Sequence, residues 1–220
     1  MSKINAINNK ASELTVDPGA SGDSFVQFNI NATGEFRIGV DDDAGDSFKI
    51  SQGSALGTND TFVMTASGER TMPLQSCFLA HINSDISNVL GDNNFYTVVW
   101  DSEEFDQGGD FDGTSTFTAP VTGRYFFSTS VLVDSLTSSY VLGIIQFVAS
   151  GDTYRCHLNN PGAIATSGDL SLFGSAIIPM TAADTVTVQV KIASSTKVID
   201  IQGNTTASAA VNWFSGYLMV

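Results

Sequence analysis

The sequence is poor in basic residues and in charge generally. Lysine and arginine total 9 against 23 aspartates and glutamates in 220 residues, and the formal net charge is −14. Such an acidic surface repels phosphate backbones, which argues against nucleic acid as a partner. Since 42% of the residues are hydrophobic and only 15% are charged, intrinsic disorder is also disfavoured. The acidity fits either solubility at high local concentration or carboxylates that bind calcium, and the composition leaves both open.

Cysteine, which disulfide frameworks need, and histidine, which many catalytic sites use, are scarce. Cys77 and Cys156 are too few for a disulfide framework, and we expect both to be free thiols. The two histidines, His81 and His157, have no acidic or thiol partner at a recognisable catalytic spacing, and no nucleophile elbow or phosphate loop occurs. We therefore expect a protein that is not an enzyme and has no certain cofactor.

Long hydrophobic segments are missing as well. No run approaches the roughly 20 apolar residues of a membrane span. The residues that follow Met1 are polar, which predicts a chain without a secretory signal, made in the cytoplasm. The apolar runs that do occur have the length of strands.

The patterns that are present indicate β-structure. There are 20 glycines and 15 phenylalanines, a composition that suits strands joined by many turns. In residues 184–192, Val186, Val188, Val190 and Ile192 alternate with polar residues, which is typical of a half-buried strand. Residues 77–83, 96–101, 123–133 and 140–149 are also predicted strands, and residues 159–168 are a predicted loop. Several such segments at even spacing, without an intervening helical stripe, predict an all-β sandwich or jelly roll.

The chain divides into three predicted regions. Residues 1–22 are small and polar and form an N-terminal anchor or flexible segment. Residues 23–74 contain a degenerate repeat in which Asp23-Ser-Phe, Asp46-Ser-Phe and Asp60-Thr-Phe each place a turn before a strand. We call residues 23–74 the stem and residues 75–220 the head. The apolar side chains of the stem could be buried by winding three chains together, or the stem could be a small β-meander packed on the head.

Large aromatic residues mark the core of the head. Phe117, Tyr125, Phe127 and Phe214 are rigid apolar groups suited to fill the space between two sheets. Gly216, which lies in the last predicted strand, indicates a close backbone approach or a packed neighbouring ring.

The order of these residues resembles the complement C1q globular head, a jelly roll related to tumour necrosis factor. The matching motifs are Asp110-Phe-Asp112, Pro120-Val-Thr-Gly-Arg-Tyr-Phe-Phe127 and Phe214-Ser-Gly-Tyr-Leu218, whereas Gly113-Thr-Ser-Thr-Phe117 departs from the turn of that family. The resemblance covers residues 75–220, about two-thirds of the chain. It implies a jelly-roll head that assembles as a homotrimer and binds rather than catalyses.

The stem resembles segments of bacteriophage structural proteins through Phe36-Arg-Ile-Gly-Val40 and Phe48-Lys-Ile-Ser51. This second resemblance implies a phage tail fibre or spike on the virion, docked to another virion protein through residues 1–22, whose head performs receptor binding to a host-surface glycan or protein. Two alternatives stay open. One is a structural capsid or tail decoration protein without a receptor, and the other is a bacterial surface or secreted binding module.

Two groups of residues are candidate sites. Receptor-binding loops are predicted where small polar residues cluster, at Ser138, Asn159, Asn160, Ser194, Thr205 and Thr206. Asp106, Asp110 and Asp112 lie close enough in sequence to hold calcium, although Phe117 stands where an EF-hand loop has its glutamate. The alternative for these three aspartates is that they cap turns.

Overall fold

The structure is a computed structural model that describes residues 16, 22–30, 34–164, 167–193, 196–203 and 211–220. The chain divides into two compact units, Met1–Leu74 and Gln75–Val220. Within the described residues, no helix has the length and apolar character needed to cross a membrane.

The first unit contains an antiparallel β-meander. Its five strands lie in the order of the sequence: β1 (Ser24–Ile30), β2 (Gly34–Asp41), β3 (Ser47–Gln52), β4 (Asp60–Met64) and β5 (Arg70–Thr71). The repeated Asp-Ser/Thr-Phe segments coincide with the starts of β1, β3 and β4. Each repeat therefore supplies a turn and the strand that follows it.

The second unit is built almost entirely from strands. They are β6 (Cys77–His81), β7 (Ile86–Leu90), β8 (Tyr96–Thr97), β9 (Ser102–Gln107), β10 (Phe117–Thr118), β11 (Gly123–Thr137), β12 (Leu142–Ala149), β13 (Asp152–Asn159), β14 (Ser167–Met180), β15 (Thr185–Ala193), β16 (Ile199–Ile201) and β17 (Trp213–Leu218). A single helical turn, α1 (Pro161–Ile164), separates β13 from β14.

These strands form two antiparallel sheets. The small sheet has the order β10-β15-β12-β13, with β8 paired to β15. The large sheet has the order β7-β16-β11-β17-β6-β9, with β14 along the other side of β11. Non-sequential neighbours of this kind are the mark of a jelly roll rather than a meander. The predicted all-β, jelly-roll fold class is confirmed.

The core of this sandwich is aromatic. Phe117, Tyr125, Phe127 and Phe214 are 0% exposed. The ring of Phe78 stacks on that of Phe117 at 5.1 Å between centroids and meets the ring of Phe214 edge-on at 4.8 Å. Such offset and edge-to-face pairs are favourable arrangements of aromatic rings. The two sheets are therefore joined by the residues that stood out in the sequence.

Several strand boundaries differ from the sequence prediction. The strand expected over residues 140–149 begins at Leu142, and the one expected over residues 96–101 ends at Thr97. After Thr97, the Val98 N–H still donates 2.9 Å to Val188 O of β15, and the backbone N–H of Trp100 donates 2.6 Å to Thr114 O outside the sheet. Residues 167–168, expected in a loop, open β14. The sequence does not predict strands β7, β9, β13, β14 and β16, because they are short or their polar and small residues lack a clear alternation.

Candidate functional site

The predicted loop residues Ser138 and Asn160 lie at the same end of the sandwich. Here β11 ends, β12 begins, β13 ends and α1 follows. The Gly162 N–H donates 2.7 Å to Tyr140 O, and a Cβ built on Gly162 would lie only 2.5 Å from Ser138 O. The absence of a side chain at Gly162 therefore lets the two loops touch. We call residues 138–141 and 160–163 the loop end, in which Ser138, Ser139, Val141, Asn160 and Ala163 are exposed.

The two neighbouring asparagines have different roles at this end. Asn160 is exposed, and its Oδ1 accepts a 3.3 Å hydrogen bond from the Ala163 N–H, which caps the helical turn. Asn159 is half-buried, and its amide lies 3.1 Å from Nε2 of His157. Asn160 thus faces solvent, whereas the side chain of Asn159 contacts His157 within the protein.

The remaining predicted loop residues cannot be placed in the same way. Ser194, Thr205 and Thr206 lie outside the described residues. The residue before Ser194 is Ala193, whose carbonyl accepts a 3.2 Å hydrogen bond from the Val141 N–H. Ala193, the last described residue before Ser194, therefore lies beside the loop end.

The three candidate calcium ligands follow β9. Asp106 accepts hydrogen bonds from the N–H groups of Asp110 (3.2 Å) and Phe111 (3.0 Å). Asp112 Oδ1 accepts from the N–H groups of Thr114, Ser115 and Thr116 at 2.8, 2.7 and 3.0 Å. In the part of the chain that the structure describes, no three acidic, histidine or cysteine side chains are grouped to hold a metal ion.

The pKa of Asp112 reflects this capping. Burial alone would raise it, but the backbone hydrogen bonds from Thr116, Ser115 and Thr114 outweigh burial and lower the pKa below its ordinary value. These donors stabilise the carboxylate without a cation. Asp106 and Asp112 are thus both engaged as turn caps.

The large sheet presents an apolar outer face that sequence reasoning missed. Its outward side chains alternate with the core residues along β11, β14 and β17, and include Phe126, Ser128, Phe173, Ser175, Ile177, Trp213, Ser215 and Tyr217. We call these residues the aromatic face. The consecutive Tyr125-Phe126-Phe127 was the available signal, because a strand that buries Tyr125 and Phe127 must point Phe126 away from the core.

The register arranges this face in rows across the sheet. Ile177, Phe126 and Tyr217 form one row, and Ser175, Ser128 and Ser215 form the next. The rings of Phe126 and Tyr217 are 5.4 Å apart. The serines leave a depression between apolar side chains.

Much of the aromatic face is open to solvent. Phe173 is 57% exposed, Ile177 53% and Tyr217 45%. A concavity of about 710 Å³ lies over Ser128, Ser175 and Trp213 and extends to Cys156 and His157 of β13. A contiguous exposed apolar surface of this kind marks an interaction site in soluble proteins.

The histidines and cysteines do not combine into a catalytic group. His81 Nε2 lies 3.1 Å from Asn83 Oδ1, and His157 packs against the ring of Phe173 at 5.4 Å. Cys77 and Cys156 are free. Burial raises the pKa of both thiols, and the charge of Asp106 adds to the effect at Cys77. Both thiols are therefore poor nucleophiles at neutral pH.

Comparison with known proteins gives matches among solved structures alone. No family model matches the sequence, and no curated protein does. The globular domain of zebrafish complement 1qA protein is similar at 17% identity, over 66% of this chain and 98% of that one, with a TM-score of 0.45. Murine APRIL is similar at 10% identity, over 66% of this chain and 99% of that one, with a TM-score of 0.44.

Proposed function

We propose that this protein is a homotrimeric, non-enzymatic fibre or spike protein of a bacteriophage virion, whose head binds a host-surface glycan or protein. The observation that carries the proposal is the aromatic face, since a sandwich that leaves one side of its larger sheet apolar is suited to assembly. The virion role is supported by the β-repeat of the stem. In this proposal the chain is made in the host cytoplasm, and residues 1–22 dock to another virion protein.

Self-association is favoured by the chemistry of the face. Burial of apolar surface stabilises an assembly by about 25 cal/mol per Å², and Phe126, Phe173 and Tyr217 present large rings with few rotatable bonds. Among the described strands β14 pairs with β11 alone, so Phe173 and Ile177 lie on a sheet edge. An edge that packs on the face of the next copy makes a heterologous contact, and such contacts close into rings such as a trimer.

Receptor binding is assigned to the loop end. Loops carried on a rigid scaffold are the usual place for recognition. Ser138 and Asn160 supply exposed polar groups, and Val141 beside them is 60% exposed. Polar groups beside an exposed aliphatic side chain suit a glycan or a protein edge. Three copies of a weak site gain avidity when they engage one cell surface together.

The assembly is tested by light scattering. We expect a mass near three times 23.2 kDa for the wild-type chain. Replacing Phe126 and Tyr217 by aspartate places charges on the aromatic face, and the mass should fall to that of one chain. Val141→Asp adds an equally exposed charge at the loop end and should leave the mass unchanged. A wild-type monomer overturns the proposal.

Receptor binding is tested on whole bacteria and on arrays of bacterial surface glycans with labelled protein. Replacing Asn159, Asn160, Thr205 and Thr206 together by alanine should weaken binding at least tenfold. The trimer should stay intact. Ser138 and Ser194 are tested in the same way. Unchanged attachment by all of these variants rules out the loops. A trimer that binds capsids or tails but no cells and no glycan would instead identify a decoration protein.

A further inference from the structure

The meander of the first unit has one apolar face. The register aligns Val26, Ile38, Ile50 and Phe62 in a single row across β1 to β4. The apolar residues on this side are here called the stem face, and they are Val26, Phe28, Phe36, Ile38, Val40, Phe48, Ile50, Phe62 and Met64. The polar residues Ser24, Gln52 and Arg70 lie on the same side at its margins. Phe28 remains 59% exposed and Phe36 46%.

On the opposite side of this sheet, β2 to β4 are covered by charge-paired side chains and by the loop between β3 and β4. Lys49 Nζ lies 2.7 Å from Asp41 Oδ2 and 3.0 Å from Asp60 Oδ2. Leu56, from the loop between β3 and β4, is buried, and a Cβ built on Gly57 would lie 2.9 Å from Asp41 Oδ2. That side thus closes with charge-paired groups. The stem face is the side on which apolar surface is left open.

The charge distribution favours another copy of the same chain as the occupant. The chain carries a net charge of −14, so two copies repel each other wherever their carboxylates approach. The stem face contains no carboxylate, and Asp41 and Asp60 are paired with Lys49 on the far side. The polar side chains on this side, Ser24, Gln52 and Arg70, lie at its margins, so a second stem face matches the apolar centre better than a polar ligand would.

The stem face is too small to hold an assembly by itself. Four strands about 4.8 Å apart, each contributing roughly 20 Å of length, give about 400 Å² of flat area per copy. A trimer would bury about 400 Å² in each of its three pairwise stem contacts, whereas stable specific interfaces begin at about 1,200 Å². A stem contact would therefore add to the interface made by the aromatic face.

We infer that the stem faces of copies of this chain pack against one another around the axis of the trimer and form a buried core that no single chain has. This inference rests on the homotrimer proposed above. It adds a second interface, which is carried by the first unit and is separate from the aromatic face.

The test uses the full chain with Cys77→Ser and Cys156→Ser, so that introduced cysteines are the only thiols. Val26→Cys places a thiol on the stem face, and Gln27→Cys places one on the adjacent, exposed position of the opposite side. Phe28→Cys and Gln27→Cys form a second pair in case Val26→Cys fails to fold. Light scattering first establishes the mass of each variant.

A bifunctional maleimide, which can link two single-cysteine chains, should join Val26→Cys or Phe28→Cys chains into covalent dimers, and Gln27→Cys chains should stay single. Native labelling by a polyethylene glycol maleimide should be at least tenfold slower at Val26→Cys than at Gln27→Cys. A trimer in which the two sides label and cross-link alike overturns the stem interface and leaves the proposed function standing. Protection without cross-linking also overturns it, because something other than a second copy then covers the face. A monomer overturns both.

Discussion

At the scale of single residues, Gly216 determines how closely β17 approaches the core. A Cβ at this position would lie 2.5 Å from Cδ1 of Phe127 and 2.9 Å from Cε1 of Phe78. Both rings are fully buried and cannot move aside without disturbing their neighbours. We expect Gly216→Ala to lower the free energy of unfolding by about 1–3 kcal/mol, measured by urea denaturation. Ser215→Ala, on the outer side of the same strand, should change it by less than about 0.5 kcal/mol.

Asp112 provides a second residue-scale prediction, which concerns calcium. Because its carboxylate is already held by three N–H donors, we expect excess chelator to leave the melting temperature unchanged. Asp112→Ala should destabilise the head by about 1 kcal/mol, with or without calcium. If chelator lowered the melting temperature of the wild type but not of Asp112→Ala, the aspartates would be a calcium site.

At the scale of elements, the network around Lys49 holds β2, β3 and β4 together. Its side chains are almost covered, with Lys49 8% and Asp41 7% exposed. Burial alone lowers the pKa of Lys49, but the hydrogen bonds and charges of Asp41 and Asp60 outweigh it and raise the pKa. For Asp60, burial raises the pKa. Its hydrogen bonds, chiefly those from the Ser51 hydroxyl and from Lys49, lower the pKa by more than burial raises it, so the net shift is downward.

Removing the cation should therefore open the meander. We expect Lys49→Met to destabilise residues 23–74 by about 3 kcal/mol, because two buried carboxylates lose their partner. Faster hydrogen exchange in β2 to β4 would report it, and Arg70→Met on exposed β5 is the matched control. An unchanged exchange rate in Lys49→Met would show that the network contributes no stability.

The same network sets a pH window for the stem. The contribution of Lys49 is complete below its unfolded pKa of about 10.4 and is lost as the pH rises through the higher folded value. That of Asp60 is complete above about 3.9 and is lost as the pH falls through the lower folded value. Wild-type stem stability should therefore be flat between these limits and fall outside them.

The elements also show what the sequence could and could not predict. Strands with regular alternation, such as β15, and those with dense aromatics, such as β11, were recognisable from composition and period. Strands β13 and β14 were not, since Gly168, Ser171, Gly174 and Ser175 interrupt any apolar pattern in β14. The network of Lys49 was missed because Asp41 and Asp60 join it only through the register of three strands. The aromatic face was missed because its residues look like core until the sheet shows which side they take.

At the scale of the whole molecule, burial and charge act in opposite directions on assembly. The aromatic face and the stem face supply apolar area, and the residues that define them include no carboxylate. The rest of the chain brings a net charge of −14 from each copy. This repulsion acts over about 30 Å at 0.01 M salt and over about 8 Å at 0.15 M. Assembly should therefore depend on salt in the direction opposite to that of an interface made of ion pairs.

We expect the trimer to dissociate at low ionic strength and dilute concentration. Raising NaCl from about 10 to 150 mM should lower the dissociation midpoint by roughly tenfold, because screening removes repulsion and leaves apolar burial intact. Light scattering across a dilution series measures the midpoint. Calcium chloride at matched ionic strength is the control, and a larger effect than that of NaCl would reveal specific binding. Dissociation by added NaCl would mean that ion pairs, and not the two apolar faces, hold the copies together.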